Sequence, residues 1–164
     1  MRKSEIRNPK SETNSKSQIT NSRQSTAYEG LQENIRKLKT PDIETWKNEY
    51  PDKDYTVSLE IPEFTCICPK TGLPDFAVMR VEYGPDMRCI ELKSFKLYTV
   101  WYRNVGIFHE HVVNKILEDF VKSCSPRWAR IEMVFNPRGG ITTKVEAECG
   151  SYEKNRRSED QGSR

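Results

Sequence analysis

The sequence predicts an α+β domain built on an antiparallel sheet in ββ-α-ββ order, with helices packed on one face. Three observations carry that expectation. Residues 55–61 and 77–83 alternate apolar and polar side chains with the two-residue period of half-buried strands. From Phe108 the period lengthens to that of a helix. Two more alternating runs then flank Asn136-Pro137-Arg138-Gly139-Gly140, as in a β-hairpin.

Taken in order, residues 31–51 read as a polar lead-in with scattered anchors at Ile43, Trp46 and Tyr50. Tyr55, Val57, Leu59 and Ile61 form one face of the first strand, which Pro62 is expected to end. The loop Cys68-Pro69-Lys70-Thr71-Gly72-Leu73-Pro74-Asp75 leads to the second strand, with Ala77, Met79, Val81 and Tyr83 on one face and a turn at Gly84-Pro85-Asp86. Arg88 begins strand-like, and beyond Lys93 the pattern leaves helix and strand open. Val112, Ile116 and Phe120, beside Val113, Leu117 and Val121, form the apolar stripe of a helix; Asn114, Lys115, Glu118, Asp119 and Lys122 are expected on its solvent side. Pro126 closes it. Ala129, Ile131, Met133 and Phe135 form one face of the third strand, and Ile141, Thr143, Val145, Ala147 and Cys149 one face of the fourth.

The chain has 164 residues, 35% hydrophobic and 31% charged, and the apolar deficit is concentrated at the ends. Residues 1–30 contain five hydrophobic side chains and a net charge of +3, and residues 151–164 contain one and +1. Both are expected to be flexible polar extensions, leaving residues 31–150 as a single domain. That middle part carries 17 Lys/Arg against 18 Asp/Glu. A near-neutral domain lacks the broad basic footprint of a nucleic-acid binder. No apolar run reaches the ~18 residues of a membrane span, and the basic N-terminus has no apolar segment of a secretory signal. Five cysteines, an odd number, fit reduced thiols and a cytoplasmic location.

Cys68 sits where a strand gives way to a loop, the partly exposed setting that a thiolate nucleophile needs. Asp75 lies between Pro74 and Phe76, and a carboxyl packed near apolar groups can donate a proton near neutrality. Read by itself, a lone cysteine is more often inert packing. Cys66 and Cys68 with His109 and His111 raise the thought of zinc, but the Cys-x-Cys spacing is poor and the two histidines would point about 160° apart on a helix. His109 should face inward with Val113 and Ile116, and His111 outward; an inward histidine beside Glu110 is more often a satisfied core pair than a ligand. Lys93 and Lys96, three residues apart, and Arg138 beside two glycines are cations that could meet phosphates, although a solvated face and a hairpin turn account for them equally.

Together these clusters resemble a known family. Glu91-Leu92-Lys93-Ser94-Phe95-Lys96-Leu97-Tyr98 looks like the signature of the single-module NADPH-dependent 7-cyano-7-deazaguanine reductases, the QueF-type nitrile reductases of queuosine biosynthesis. Residues 68–77, 103–110 and 136–140 match in the family's order. The resemblance implies the tunnelling fold (T-fold), with Cys68 as the nucleophile that forms a covalent thioimide and Asp75 as the acid for the nitrile nitrogen. It implies that His109 and Glu110, with Ile90, Glu91 and Leu92, bind 7-cyano-7-deazaguanine, and that Lys93, Lys96 and Arg138 hold the phosphates of NADPH. It also implies a homo-oligomer, a decamer of two pentamers with active sites between subunits, no metal, and no direct contact with nucleic acid or membrane. An amidinotransferase relative that uses ammonia, a zinc cyclohydrolase of the same fold and a purine-binding scaffold remain as alternatives.

Overall fold

Alternation along one central strand sets the architecture. The computed structural model describes residues 32–150. The extensions expected at 1–30 and 151–164 lie outside the described residues. In chain order the elements are a 3₁₀ turn at Ile35–Lys37, β1 (Thr45–Lys47), β2 (Val57–Ile67), β3 (Pro74–Gly84), β4 (Arg88–Ile90), α1 (Leu92–Trp101), a second 3₁₀ turn at Tyr102–Asn104, α2 (His109–Cys124), β5 (Trp128–Phe135) and β6 (Lys144–Cys149). The main sheet is antiparallel in the order β2-β3-β5-β6, and β1 pairs antiparallel with β4 in a small second sheet.

In β3, Ala77, Met79, Val81 and Tyr83 are buried as their alternation requires, with Ile131, Met133 and Phe135 of β5 beside them. α2 covers this face with Val112, Val113, Ile116 and Phe120, all fully buried, while α1 contributes Phe95 and Tyr98. The outer face is charged: Arg80 bridges Glu60 and Glu132, Lys144 reaches Glu132, and Arg130 reaches Glu146. α2 ends at Ser125, whose φ of 45° is the left-handed conformation that terminates helices.

Several expectations are corrected. β2 does not stop at Pro62 but runs on to Ile67, because β2 is an edge strand, where a residue without an N–H is tolerated. The register shifts between Ile61 and Phe64, and the shift changes the phase, so Phe64 and Cys66 point inward. β3 begins at Pro74, which places Asp75 on a strand instead of in the loop. β6 begins at Lys144 rather than Ile141, whose side chain is exposed. The segment after Lys93 is helix, and β4 finds its partner in the lead-in.

That lead-in is more ordered than its composition suggests. Asn48 is 1% exposed: its Nδ2 donates to the Asp86 carbonyl, and its Oδ1 accepts from Tyr50 N and the Tyr55 hydroxyl. Trp46 and Tyr50, expected as anchors, are exposed. Lys115 and Asp119 are not on the solvent side of α2 either. Lys115 is buried with its Nζ 2.5 Å from Asp119 Oδ1, and Asp119 also accepts from Tyr98 (2.8 Å) and Thr40 (3.0 Å), so the lead-in covers this part of the helix.

Candidate active site

The β2–β3 connection is a tight turn folded over Cys68. The Cys68 N–H donates to the Leu73 carbonyl and the Gly72 N–H to the Cys68 carbonyl, each at 2.9 Å. Gly72 has φ +69°, and an added Cβ would meet nothing within 4 Å, so conformation and not space requires glycine there. Partial burial pushes the Cys68 thiol up, but hydrogen bonds from the Thr71 hydroxyl and from the N–H groups of Thr71 and Lys70 outweigh it, and the thiol ends below its ordinary value. Cys66, two residues earlier, is fully buried and pushed up to about 12, chiefly by burial and further by the Asp75 charge. The two thiols are shifted in opposite directions, Cys68 down and Cys66 up.

Asp75 is the register partner of Cys66 and is 4% exposed. Its surroundings differ from the apolar setting expected. Phe76 turns outward, because neighbouring strand residues face opposite sides. A guanidinium and an imidazole flank the carboxylate instead: Arg138 Nε lies 2.6 Å from Oδ1, and His109 Nε2 lies 3.4 Å from Oδ2. His109 opens α2 and stacks on Phe135, with ring centroids 3.6 Å apart and planes 6° apart. His109 therefore faces inward and His111 outward, as the helical spacing requires. His111 Nδ1 meets Gln32 Oε1 at 3.1 Å. Glu110 is exposed in the chain, because one step along α2 turns its side chain about 100° from that of His109.

Arg138 reaches Asp75 from the turn joining β5 and β6. Arg138 and Ile141 exchange both backbone hydrogen bonds across Gly139 and Gly140, whose φ values are +57° and +82°. This is the two-residue hairpin geometry that demands left-handed residues.

The remaining site residues lie at the other end of the sheet. Ile90 is buried with its N–H on the Tyr83 hydroxyl at 3.2 Å. Glu91 caps α1, its carboxylate accepting from Lys93 N (2.9 Å) and Ser94 N (2.6 Å), and these bonds hold it below the usual carboxylate range. Leu92, Lys93 and Lys96 are exposed on α1. Tyr83, whose hydroxyl meets the Ile90 N–H, and Asp75 are eight residues apart on β3, roughly 26 Å along the strand. One chain thus brings together Cys68, Asp75, His109 and Arg138, and separately Ile90, Glu91, Leu92 and Lys93. Between them, β2 and α1 form a groove of about 430 Å³ lined by Ile61, Phe64, Leu92, Phe95, Lys96 and Arg103 among others. Among the described residues no group of three or more His, Cys, Asp and Glu could hold a metal ion. No described helix is long and apolar enough to cross a membrane.

Three contributors went unread in the sequence. Thr71 could have been found, since a hydroxyl in a turn commonly bonds nearby groups. Phe135 and Arg103 carry no such signal, because they are one core aromatic and one surface cation among several.

Comparison with known proteins gives the chain its relatives. A model described as a QueF-like protein matches residues 74–154. An NADPH-dependent 7-cyano-7-deazaguanine reductase of Nitrosococcus oceani is 55% identical over 107 residues, 65% of this chain and 83% of the relative. One from Chlorobaculum tepidum is 51% identical over 114 residues, 70% of this chain and 95% of the relative. The chain belongs to the NADPH-dependent 7-cyano-7-deazaguanine reductase family. Among solved structures, the crystal structure of the archaeosine synthase QueF-Like in the apo form is similar with a TM-score of 0.56 and 25% identity, covering 59% of this chain and 95% of that one. The QueF-like match holds Asp75, Glu91, His109 and Arg138, and Cys68 lies just before it.

Proposed function

We propose that the chain is a nitrile reductase of queuosine biosynthesis, converting 7-cyano-7-deazaguanine to 7-aminomethyl-7-deazaguanine with two NADPH. The observation that carries this is the contrast of two thiols on one strand end. Turn hydrogen bonds lower the Cys68 thiol while burial raises that of Cys66, and Cys68 stands close to the Asp75 carboxylate beside His109 and Arg138.

The chemistry follows from those groups. The Cys68 sulfur bonds to the nitrile carbon, one C≡N π bond is lost, and the thiol proton passes by way of the Asp75 carboxylate to the nitrogen, giving a thioimide. His109, flat on Phe135, steadies the second oxygen of Asp75 and stands at the substrate side. When bound, NADPH supplies the hydrides. Cys68 leaves as thiolate once the carbon has been reduced, and the same lowered thiol that attacks well also departs well. In the β2–α1 groove Lys96 and Arg103 are the cations that would meet the cofactor's phosphates, on a lining that also carries Glu60 and Glu63 and apolar Leu92 and Phe95, with Lys93 on the exposed face of the same helix.

The finer architecture belongs to the same reading. The sheet with its two helices is a tunnelling fold, residues 31–150 are the catalytic domain, and the protein acts in the cytoplasm without metal and without direct contact with nucleic acid or membrane. The separation between the Cys68 and Glu91 clusters supports a homo-oligomer, a decamer of two pentamers, in which a neighbouring copy brings Glu91, Ile90 and Leu92 to Cys68. Exposed Glu110 then meets the purine-like edge of the substrate together with His109. The amidinotransferase reading has weaker support, since the archaeosine synthase neighbour is 25% identical and the named reductases are above 50%.

The test is an anaerobic incubation of purified protein with 7-cyano-7-deazaguanine, following NADPH absorbance at 340 nm and intact mass. Two NADPH consumed per amine formed is the expected result. An adduct without NADPH consumption would move the assignment to the amidinotransferase, and neither adduct nor turnover would overturn the enzyme reading.

A further inference from the structure

We infer that Arg138 is a positioning residue for Asp75 rather than a ligand of the NADPH phosphates. The inference rests on the roles of Cys68 and Asp75 proposed above. The guanidinium is already committed on two sides. Its Nε lies 2.6 Å from Asp75 Oδ1, and its Nη2 donates to the Pro74 carbonyl, so one rigid planar group grips both the carboxyl and the backbone one residue before it. Asp75 is 4% exposed, and His109 Nε2 lies 3.4 Å from its other oxygen.

The fold supports this role in a second way. Arg138 is the last hydrogen-bonded residue before the Gly139-Gly140 turn, and the Asn136 N–H donates to the Phe76 carbonyl at 2.8 Å. That bond lays the tip of the β5–β6 hairpin over the first residues of β3. The backbone therefore places Arg138 within reach of Asp75. Lys96 and Arg103, in contrast, line the β2–α1 groove. A proton donor misplaced by about 1 Å can lose on the order of 100-fold in rate.

Thioimide formation needs no NADPH, which separates the two roles. The full-length protein and its Arg138→Gln and Arg138→Lys variants are mixed with 7-cyano-7-deazaguanine alone, and adduct formation is timed by intact mass; the KM for NADPH is measured in parallel. Arg138→Gln should slow adduct formation on the order of 100-fold and leave the KM for NADPH unchanged. Arg138→Lys, which keeps the charge but cannot grip both Asp75 and Pro74, should lie between. In an Asp75→Asn background, Arg138→Gln should cause no further slowing, as expected for a residue that acts through its partner. Adduct formation at the normal rate with a raised KM would overturn the inference in favour of phosphate binding. Equal slowing with and without Asp75 would also overturn it, as a merely structural effect. If Arg138→Gln does not fold, Arg138→Lys alone decides between the two rates. An unmodified parent protein that forms no adduct would overturn the nitrile reductase reading, and this inference with it.

Discussion

At the Tyr83 end of β3 the buried face closes on neutral groups. The Tyr83 hydroxyl accepts from the Ile90 N–H, and Gly84 lies so close under Trp128 that an added Cβ would sit 2.4 Å from its ring nitrogen. At the Asp75 end the same face, in the same phase, closes on a carboxylate, a guanidinium and an imidazole. Both ends bury a polar group and satisfy it, but only at the Asp75 end is that group a carboxylate, close to a thiol held below its ordinary value. The Tyr83 hydroxyl is itself pushed up to about 12 by burial, so it stays protonated while it holds the Ile90 backbone. Burial alone therefore marks neither end as functional; the identity of the partners does.

The largest effect should come from Cys68→Ala, which should abolish both the covalent adduct and turnover while leaving the melting temperature near that of the parent. An adduct persisting on another cysteine would break the contrast. Asp75→Asn should follow, with turnover reduced about 10²–10⁴-fold, read as steady-state NADPH oxidation. Tyr83→Phe tests the opposite end. Removing the acceptor of the buried Ile90 N–H should cost about 1–3 kcal/mol in chemical denaturation. The smallest effect belongs to Thr71→Ala. Loss of its hydrogen bond should move the half-maximal pH for iodoacetamide labelling of Cys68 upward, because less thiolate is then present at a given pH. Peptide mapping is needed for that readout, since Cys149 is exposed and labels as well, whereas Cys66 should stay unlabelled in the native protein.

Much of this was legible in the sequence. The alternating faces of β3 and β5 and the stripe of α2 follow from side-chain period alone, and so does the opposed orientation of His109 and His111. The phase of β3 also held unread information: Asp75 is in step with Ala77, Met79, Val81 and Tyr83, a carboxylate at a position that the pattern reserves for the core. Reading Asp75 as loop hid that conflict. What could not be read depends on distant contacts. Asn48 and Lys115 look like surface residues until Tyr55 and Asp86, or Asp119 and Thr40, arrive around them. Arg138 looks like a free turn cation until the hairpin folds back on β3.

The register shift at Pro62 and Glu63 has a meaning for the newly made chain. β2 is an edge strand of 11 residues, bridged on its outer side by residues 105–107 only at Ile67, and edges of this kind seed open-ended stacking of chains. Pro62 interrupts the row of donors, Glu63 adds charge, and the shift breaks the even spacing that a foreign strand would need. β2 is thereby guarded against indiscriminate aggregation during the interval between folding and assembly.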